Sequence, residues 1–346
     1  MDLNVNVVVG KFVVLNDWKR RILTAYSYFS SFNRIFTYHG KGDTKVYLKS
    51  QRNTLYKLVL AAISVGCMSL PAAHTAMAAD YKPIILDPSY EHDKWQTQPQ
   101  DHVFEFAAYT TSFDGADDND GDGDSDRWGI PEWVSFEIKK ISTDHHLDKR
   151  PTWLTDKELY EEGIAPNNET YLVSGVLEME EVKTDYRFVR GHMCPKDTAE
   201  RISTDAAYNT HTVLNGCPQL QWQNNGIWKD LEGRCHGWAD EYERVWVICG
   251  PVSFGREPAL WLGQNGEKKA AIPDAFYKIV VRESGGSVDT LAFLIPNILP
   301  KTERNLGDFV TSIDRIESLT GLDFLTALDD ESEDEVEREK ACAADW

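Results

Sequence analysis

Two glycine-punctuated stretches constrain the fold more than any other part of the chain: Arg190-Gly191-His192-Met193-Cys194-Pro195, and Asn224-Asn225-Gly226-Ile227-Trp228-Lys229-Asp230-Leu231-Glu232. The second predicts a helix from Asn224 to about Arg244, with Trp228, Leu231 and Cys235 at apolar spacing. Between them Thr212-Val213-Leu214 predicts a short strand, ending in Asn215-Gly216-Cys217-Pro218-Gln219. Strand, loop and helix would thus bring an imidazole beside a guanidinium towards a neutral oxygen donor and a carboxylate. On a regular helix Glu232 would lie about 80° around and about 12 Å along from Asn224. That separation is too large for both to touch one ion easily.

The flanking sequence supplies a sheet. Val103–Thr110 predicts an early strand, and Glu132–Lys139 another, with Val134, Phe136 and Ile138 on one face. Residues 151–180 are polar and predict loop with short helix. Val245–Ile248 is buried-strand material stopped by Gly250-Pro251, and Phe276–Arg282 and Val288–Ile295 flank Gly285-Gly286 as a hairpin. Leu306, Phe309, Val310, Ile313, Ile316 and Leu319 keep helical spacing up to Gly321. The acidic run Asp329–Glu339 predicts a solvated tail or a frayed helix. No internal repeat is visible and no composition break divides 95–327, so the expectation is one mixed α+β catalytic domain over 127–327. An N-terminal segment over 79–126 would precede it and an acidic tail over 328–346 would follow.

Charge argues against tight binding to a polyanion, because the 346 residues carry a net charge of -20. Residues 1–78 hold ten basic and three acidic residues, leaving 26 and 53 in the remainder, a balance of -27. Phosphate contacts must then come from a local basic patch on an acidic body. Residues 48–78 predict a signal peptide: Arg52 and Lys57, an apolar run Leu58–Leu70, and Ala76-Met77-Ala78 before Ala79. The run is too short to span a bilayer, which needs about 20 residues, so export without stable membrane association is expected, to a periplasmic or extracellular space. Cys67 after Ser64-Val65-Gly66 is a poor lipid-attachment match. Residues 1–47 would be an extension upstream of true initiation near Leu48, a question decided by mass spectrometry of the native N-terminus. Cleavage would leave Cys194, Cys217, Cys235, Cys249 and Cys342, an odd number in a compartment that permits disulfides.

Asp118, Asp120, Asp122, Gly123 and Asp124 fit the opening of a calcium loop, but Gly129 stands where its closing Glu would be. Structural Ca²⁺ and a bare solvated loop both remain open there. His145 and His146 are expected at the surface.

At Arg190-Gly191-His192, Asn215-Gly216-Cys217-Pro218-Gln219, and Asn224 with Trp228, Leu231 and Glu232, the chain resembles the DNA/RNA non-specific endonuclease family, the ββα-metal nucleases. The likeness continues through Gly250-Pro251-Val252, Pro296-Asn297 and Leu319-Thr320-Gly321-Leu322-Asp323-Phe324, over roughly 130–327. It implies a central antiparallel sheet flanked by helices and hydrolysis of DNA and RNA with little sequence preference. His192 would act as general base, Asn224 as the direct ligand of Mg²⁺ (or Mn²⁺), and Glu232 as a ligand through water. Arg190 and Arg150 would hold the phosphate, and Asn215 would support the site. N-capping for Asn224 and a plain surface role for Glu232 are the alternatives from the residues themselves. Val189 stands where the family has Asp. That departure keeps a second reading in play, an exported, calcium-stabilised binding protein of the same fold that has lost the chemistry.

Overall fold

The computed structural model describes residues 81–100, 102–113, 128–173, 176–177, 186–255, 258–263, 266–341 and 346. The expected extension and signal peptide, the calcium loop Asp118–Asp124, and Cys342 lie outside these residues. All described residues fall in one unit, Met77–Trp346. Among them no helix is long and apolar enough to cross a membrane.

The strands are β1 (His102–Phe106), β2 (Tyr109–Phe113), β3 (Pro131–Lys139), β4 (Val176–Leu177), β5 (Tyr186–His192), β6 (Gly216–Leu220), β7 (Arg244–Val252), β8 (Leu260–Leu262), β9 (Ala270–Ile272), β10 (Ala275–Ser284), β11 (Ser287–Pro296) and β12 (Val310–Thr311). The helices are α1 (Lys157–Glu162), α2 (Asn168–Val173), α3 (Lys196–Ala199), α4 (Thr204–Asn209), α5 (Gln221–Gln223), α6 (Lys229–Tyr242), α7 (Ile313–Thr320) and α8 (Asp330–Arg338). A seven-stranded sheet runs in the order β1-β2-β3-β7-β10-β11-β12, with every pairing antiparallel. Separate small sheets hold β4-β5-β6 and β8-β9. This is the expected α+β architecture, a central antiparallel sheet with helices around it.

Several local expectations meet tertiary structure. The single early strand is a hairpin, β1 and β2, turned at Ala107-Ala108. Because both strands join the main sheet, a boundary at 127 does not divide the fold. On β3 the polar positions between Val134, Phe136 and Ile138 are also buried, since Ser135 and Glu137 are each 1% exposed. The segment 81–100 covers that face: Ser135 Oγ donates to the His92 carbonyl at 2.6 Å, and Glu137 Oε2 accepts from Glu91 N at 2.8 Å. The hairpin at Gly285-Gly286 forms as expected, with φ of 61° and 92°, the left-handed pair that a two-residue turn requires.

Two elements differ from their sequence pattern. Thr212-Val213-Leu214 is not a strand. Val213–Asn215 is a 3₁₀ turn capped by Thr212, and the strand is displaced to Gly216–Leu220. Pro218 is tolerated in β6 because that strand forms an edge of its sheet. The helix expected from Leu306 is broken: 3₁₀ at Leu306–Phe309, then β12, then α7. Ser312 caps α7 by accepting from Arg315 N, and Gly321 ends it at φ 76°. The pairing of Val310 with Phe293 on β11 overrides helical periodicity there.

Candidate active site

β5 and β6 pair so that His192 opposes Gly216 and Gly191 opposes Cys217. The chain leaves β6 at Leu220 and enters α5, a π-helical turn over Asn224–Trp228, and α6 without a break. Two strands and a helix thus carry the two sequence stretches. A Cβ on Gly191 would overlap Gln219 Oε1, so only glycine lets the Gln219 side chain lie across β5. We expect Gly191→Ala to lower stability by about 1–3 kcal/mol through overpacking, measured by urea unfolding; an unchanged midpoint would contradict this account of the glycine.

His192 is enclosed by aromatic rings. Trp153 lies 4.7 Å away centroid to centroid, and His211 lies edge-on at 4.8 Å. Trp153 approaches because Gly216 has no Cβ to meet its ring. Burial holds the His192 imidazole well below its usual pKa, and His211, Arg150, Lys196 and Arg190 push in the same direction. The ring is therefore neutral at physiological pH, and its Nε2 has no hydrogen-bond partner. His211 was not singled out by sequence; no spacing marks it. Its Nδ1 donates to the Ala207 carbonyl at 3.2 Å, leaving a buried, partnerless Nε2, and burial pushes its pKa down to about 4.

Arg190 packs its guanidinium over Trp153 and Tyr171, at 5.4 and 5.8 Å from the ring centroids, and its buried Nη1 has no partner. Arg150 is exposed, yet its charge acts on His192, His211 and Asp197, which puts it at the same site. Asn215 is fully buried. Its Oδ1 accepts from Cys194 N at 2.8 Å, and its Nδ2 donates to the carbonyls of Cys194 and Thr210 at 2.9 and 3.0 Å. These bonds tie the segment after His192 to the 3₁₀ turn. Val189 opposes Gln219 across the ladder and supplies no carboxylate.

The helix is not regular. Gly226 takes φ -110° and ψ -113°, so Asn224–Trp228 forms a π-helical bulge, a device frequent at functional sites. The separation calculated on a regular helix between Asn224 and Glu232 therefore does not apply. Asn224 has helical backbone angles (φ -58°, ψ -52°) and caps no helix with its side chain, which removes the capping alternative.

Glu232 is not a plain surface residue. Burial pushes its carboxyl up to about 7, against the opposing pull of the Lys278 ammonium. Lys278 is 1% exposed and stands 4.2 Å over the Trp228 ring. It too escaped the sequence reading, although a lone cation inside Ala275-Phe276-Tyr277-Lys278-Ile279-Val280-Val281 is a usable signal, since a buried ammonium needs an anionic or π partner. One turn beyond Glu232, His236 shares a 2.8 Å hydrogen bond with Thr198 Oγ1 of α3.

The half-buried Glu232 carboxylate, with no ion pair among the described residues, and an uncommitted Asn224 amide form a donor set that suits a hard divalent ion. Partnerless buried amide atoms on Gln219 and Gln223 add polar groups around β5, β6 and the bulge. Cys194, Cys217, Cys235 and Cys249 are buried free thiols, raised in pKa by burial, so none of them forms a disulfide and none is a reactive thiolate.

Two paired strands leading into a helix, with the histidine on the first and the amide and carboxylate on the helix, define the ββα-metal nuclease fold. A family model described as DNA/RNA non-specific endonuclease matches residues 124–331, and the chain belongs to that family. It is 26% identical over 208 residues to the Nuclease EXOG, mitochondrial, of Xenopus laevis, covering 58% of this chain and 54% of that one. Against the Endonuclease G, mitochondrial, of Homo sapiens it is 29% identical over 150 residues, covering 41% and 50%. The chain thus spans about half the length of these curated relatives. A crystal structure of the EndoG/EndoGI complex superposes with a TM-score of 0.54 at 20% identity, covering 70% of this chain and 92% of that one.

Proposed function

We propose that the chain is an exported, metal-dependent endonuclease that hydrolyses DNA and RNA with little sequence preference. The observation that carries this reading is the neutral His192, whose partnerless Nε2 lies in a site shared with Arg190 and Arg150. His192 takes a proton from the attacking water, a role suited to an imidazole kept unprotonated. Arg190 and Arg150 hold the non-bridging oxygens of the phosphate with their guanidinium forks. The aromatic wall of Trp153 and the edge of His211 fix the plane of the base. Asn224 would hold Mg²⁺ directly and Glu232 through a water. That ion, when bound, supplies positive charge to the phosphate and to the departing 3′ oxygen. Contacts made through phosphate carry no sequence information, which supports broad substrate tolerance. The export part of the proposal rests on the 52–78 pattern, and mass spectrometry of the native N-terminus tests it.

The experiment for the reaction is degradation of supercoiled plasmid and of RNA by the full chain, with Mg²⁺ or with EDTA. Loss of both substrates only with the metal is expected. A folded protein that leaves both intact would point instead to the binding-protein reading.

A further inference from the structure

The acidic C-terminal run is not a free tail. Its described part forms α8, with Asp329 as N-cap accepting from Ser332 N. The helix docks on the sheet, where Thr290 Oγ1 of β11 donates to the Val336 carbonyl at 3.1 Å. That docking brings Glu337 against Asp314 and Glu317 of α7, and one carboxylate oxygen from each lies within 4.8 Å of the others. Such an arrangement requires explanation, because like charges brought together oppose the docking. Asp323 and Glu333 add to the same field, so that four carboxylates, with Glu317 and Asp314, act on Glu337. Among the described residues none of Asp314, Glu317 or Glu337 has a basic ion-pair partner.

Glu337 supplies the second observation. Its side chain is 5% exposed, and its Oε1 has no hydrogen-bond partner. A buried carboxylate normally has a hydrogen bond, a counter-charge or a metal. Glu317 is tied by one oxygen, which accepts from Phe324 N at 2.9 Å, so its position is set by the loop after α7. Asp314 is exposed, which leaves that side open to water and to ion entry.

We propose that Asp314, Glu317 and Glu337 form a Ca²⁺ site that fastens α8 to α7 and so to the catalytic domain. The donors are all hard oxygens from two helices, and the Asp314 side is exposed to solvent. The spread of the three oxygens is no wider than a calcium coordination sphere, about 5 Å across at bond lengths of about 2.3–2.6 Å. Magnesium, at about 2.0–2.1 Å with strict octahedral demands, fits three carboxylates at this spread less well. Its three residues are none of those assigned to the nuclease centre, and the site would leave the protein's stability dependent on calcium.

The test is the thermal midpoint of the full chain, stripped of metal at pH 7.5 and titrated with CaCl₂ or MgCl₂. At calcium near a hundred times its dissociation constant the midpoint should rise by roughly 5–10 °C. Magnesium should give much less. The rise should be lost in Glu337→Gln and in Asp314→Asn, the latter an exposed position whose change leaves the packing intact. It should persist in Asn224→Ala and Asp120→Ala, which remove the other candidate ions. An equal calcium rise in wild type, Glu337→Gln and Asp314→Asn would overturn the proposal. So would a wild-type midpoint indifferent to calcium while Glu337→Gln raises it, since protons alone would then hold the cluster together.

Discussion

His192→Ala should cut the rate of plasmid cleavage by about 10²–10⁴, the usual contribution of a positioned general base. The size of the effect follows from the surroundings of the ring. Burial and four basic neighbours keep the imidazole uncharged, and its Nε2 is committed to no other residue. Among the described neighbours His211 also has a partnerless Nε2, edge-on to His192 with its Nδ1–H bound to the Ala207 carbonyl, while Glu232 is on the helix rather than on β5. The truncation removes a part-buried ring that packs on both Trp153 and His211, so a thermal melt must accompany the assay. With the midpoint within a few degrees of wild type, the rate loss belongs to the missing base. Cleavage retaining more than a tenth of the wild-type rate would assign the base to another group.

The parts of this fold that are legible in sequence are those whose physics is local. The Gly285-Gly286 turn needs two left-handed residues, and Gly321 ends α7 by the same conformational freedom. Arg190-Gly191-His192 and the helix after Asn224 could be marked because their residue types suit the chemistry and their order resembles that of the family. What escaped depends on partners distant in sequence. β6 runs through Gly216 and Pro218, poor strand formers, because β5 offers it a ladder. Val310 leaves its helical pattern for Phe293. The π bulge at Gly226 alters the relation of Asn224 to Glu232, and nothing in the apolar spacing announces it. Lys278 acts on Glu232, 46 residues earlier in the chain, and Glu337 is hidden in what reads as a solvated acidic run. The N-terminal segment behaves similarly: Ser135 and Glu137 look like the wet face of β3 until residues 81–100 cover them.

Glu232→Gln should make the metal-free protein more stable at neutral and alkaline pH while impairing the proposed chemistry. Burial raises the folded-state carboxyl to about 7 from an ordinary value of 4.5, so the folded protein holds this proton more tightly than the unfolded chain. Stability from this group is therefore greatest at and below pH 4.5. It falls as pH rises from 4.5 to 7, and stays at its lower value above that. The difference corresponds to about 3 kcal/mol at about 1.36 kcal/mol per pH unit. Gln matches the shape and carries no charge to desolvate, so at pH 8 in EDTA urea unfolding should show a gain of about 3 kcal/mol, and near pH 4.5 almost none. The pull of the Lys278 ammonium is already contained in that value, which burial raises in spite of it. Magnesium should narrow the gap by stabilising the wild type more than the variant, since an ion beside Glu232 offsets the same burial. A variant no more stable than wild type at pH 8 would mean that Lys278 already neutralises Glu232. The carboxylate would then be a structural partner of the lysine, and the assignment of Glu232 to the metal would fail with it.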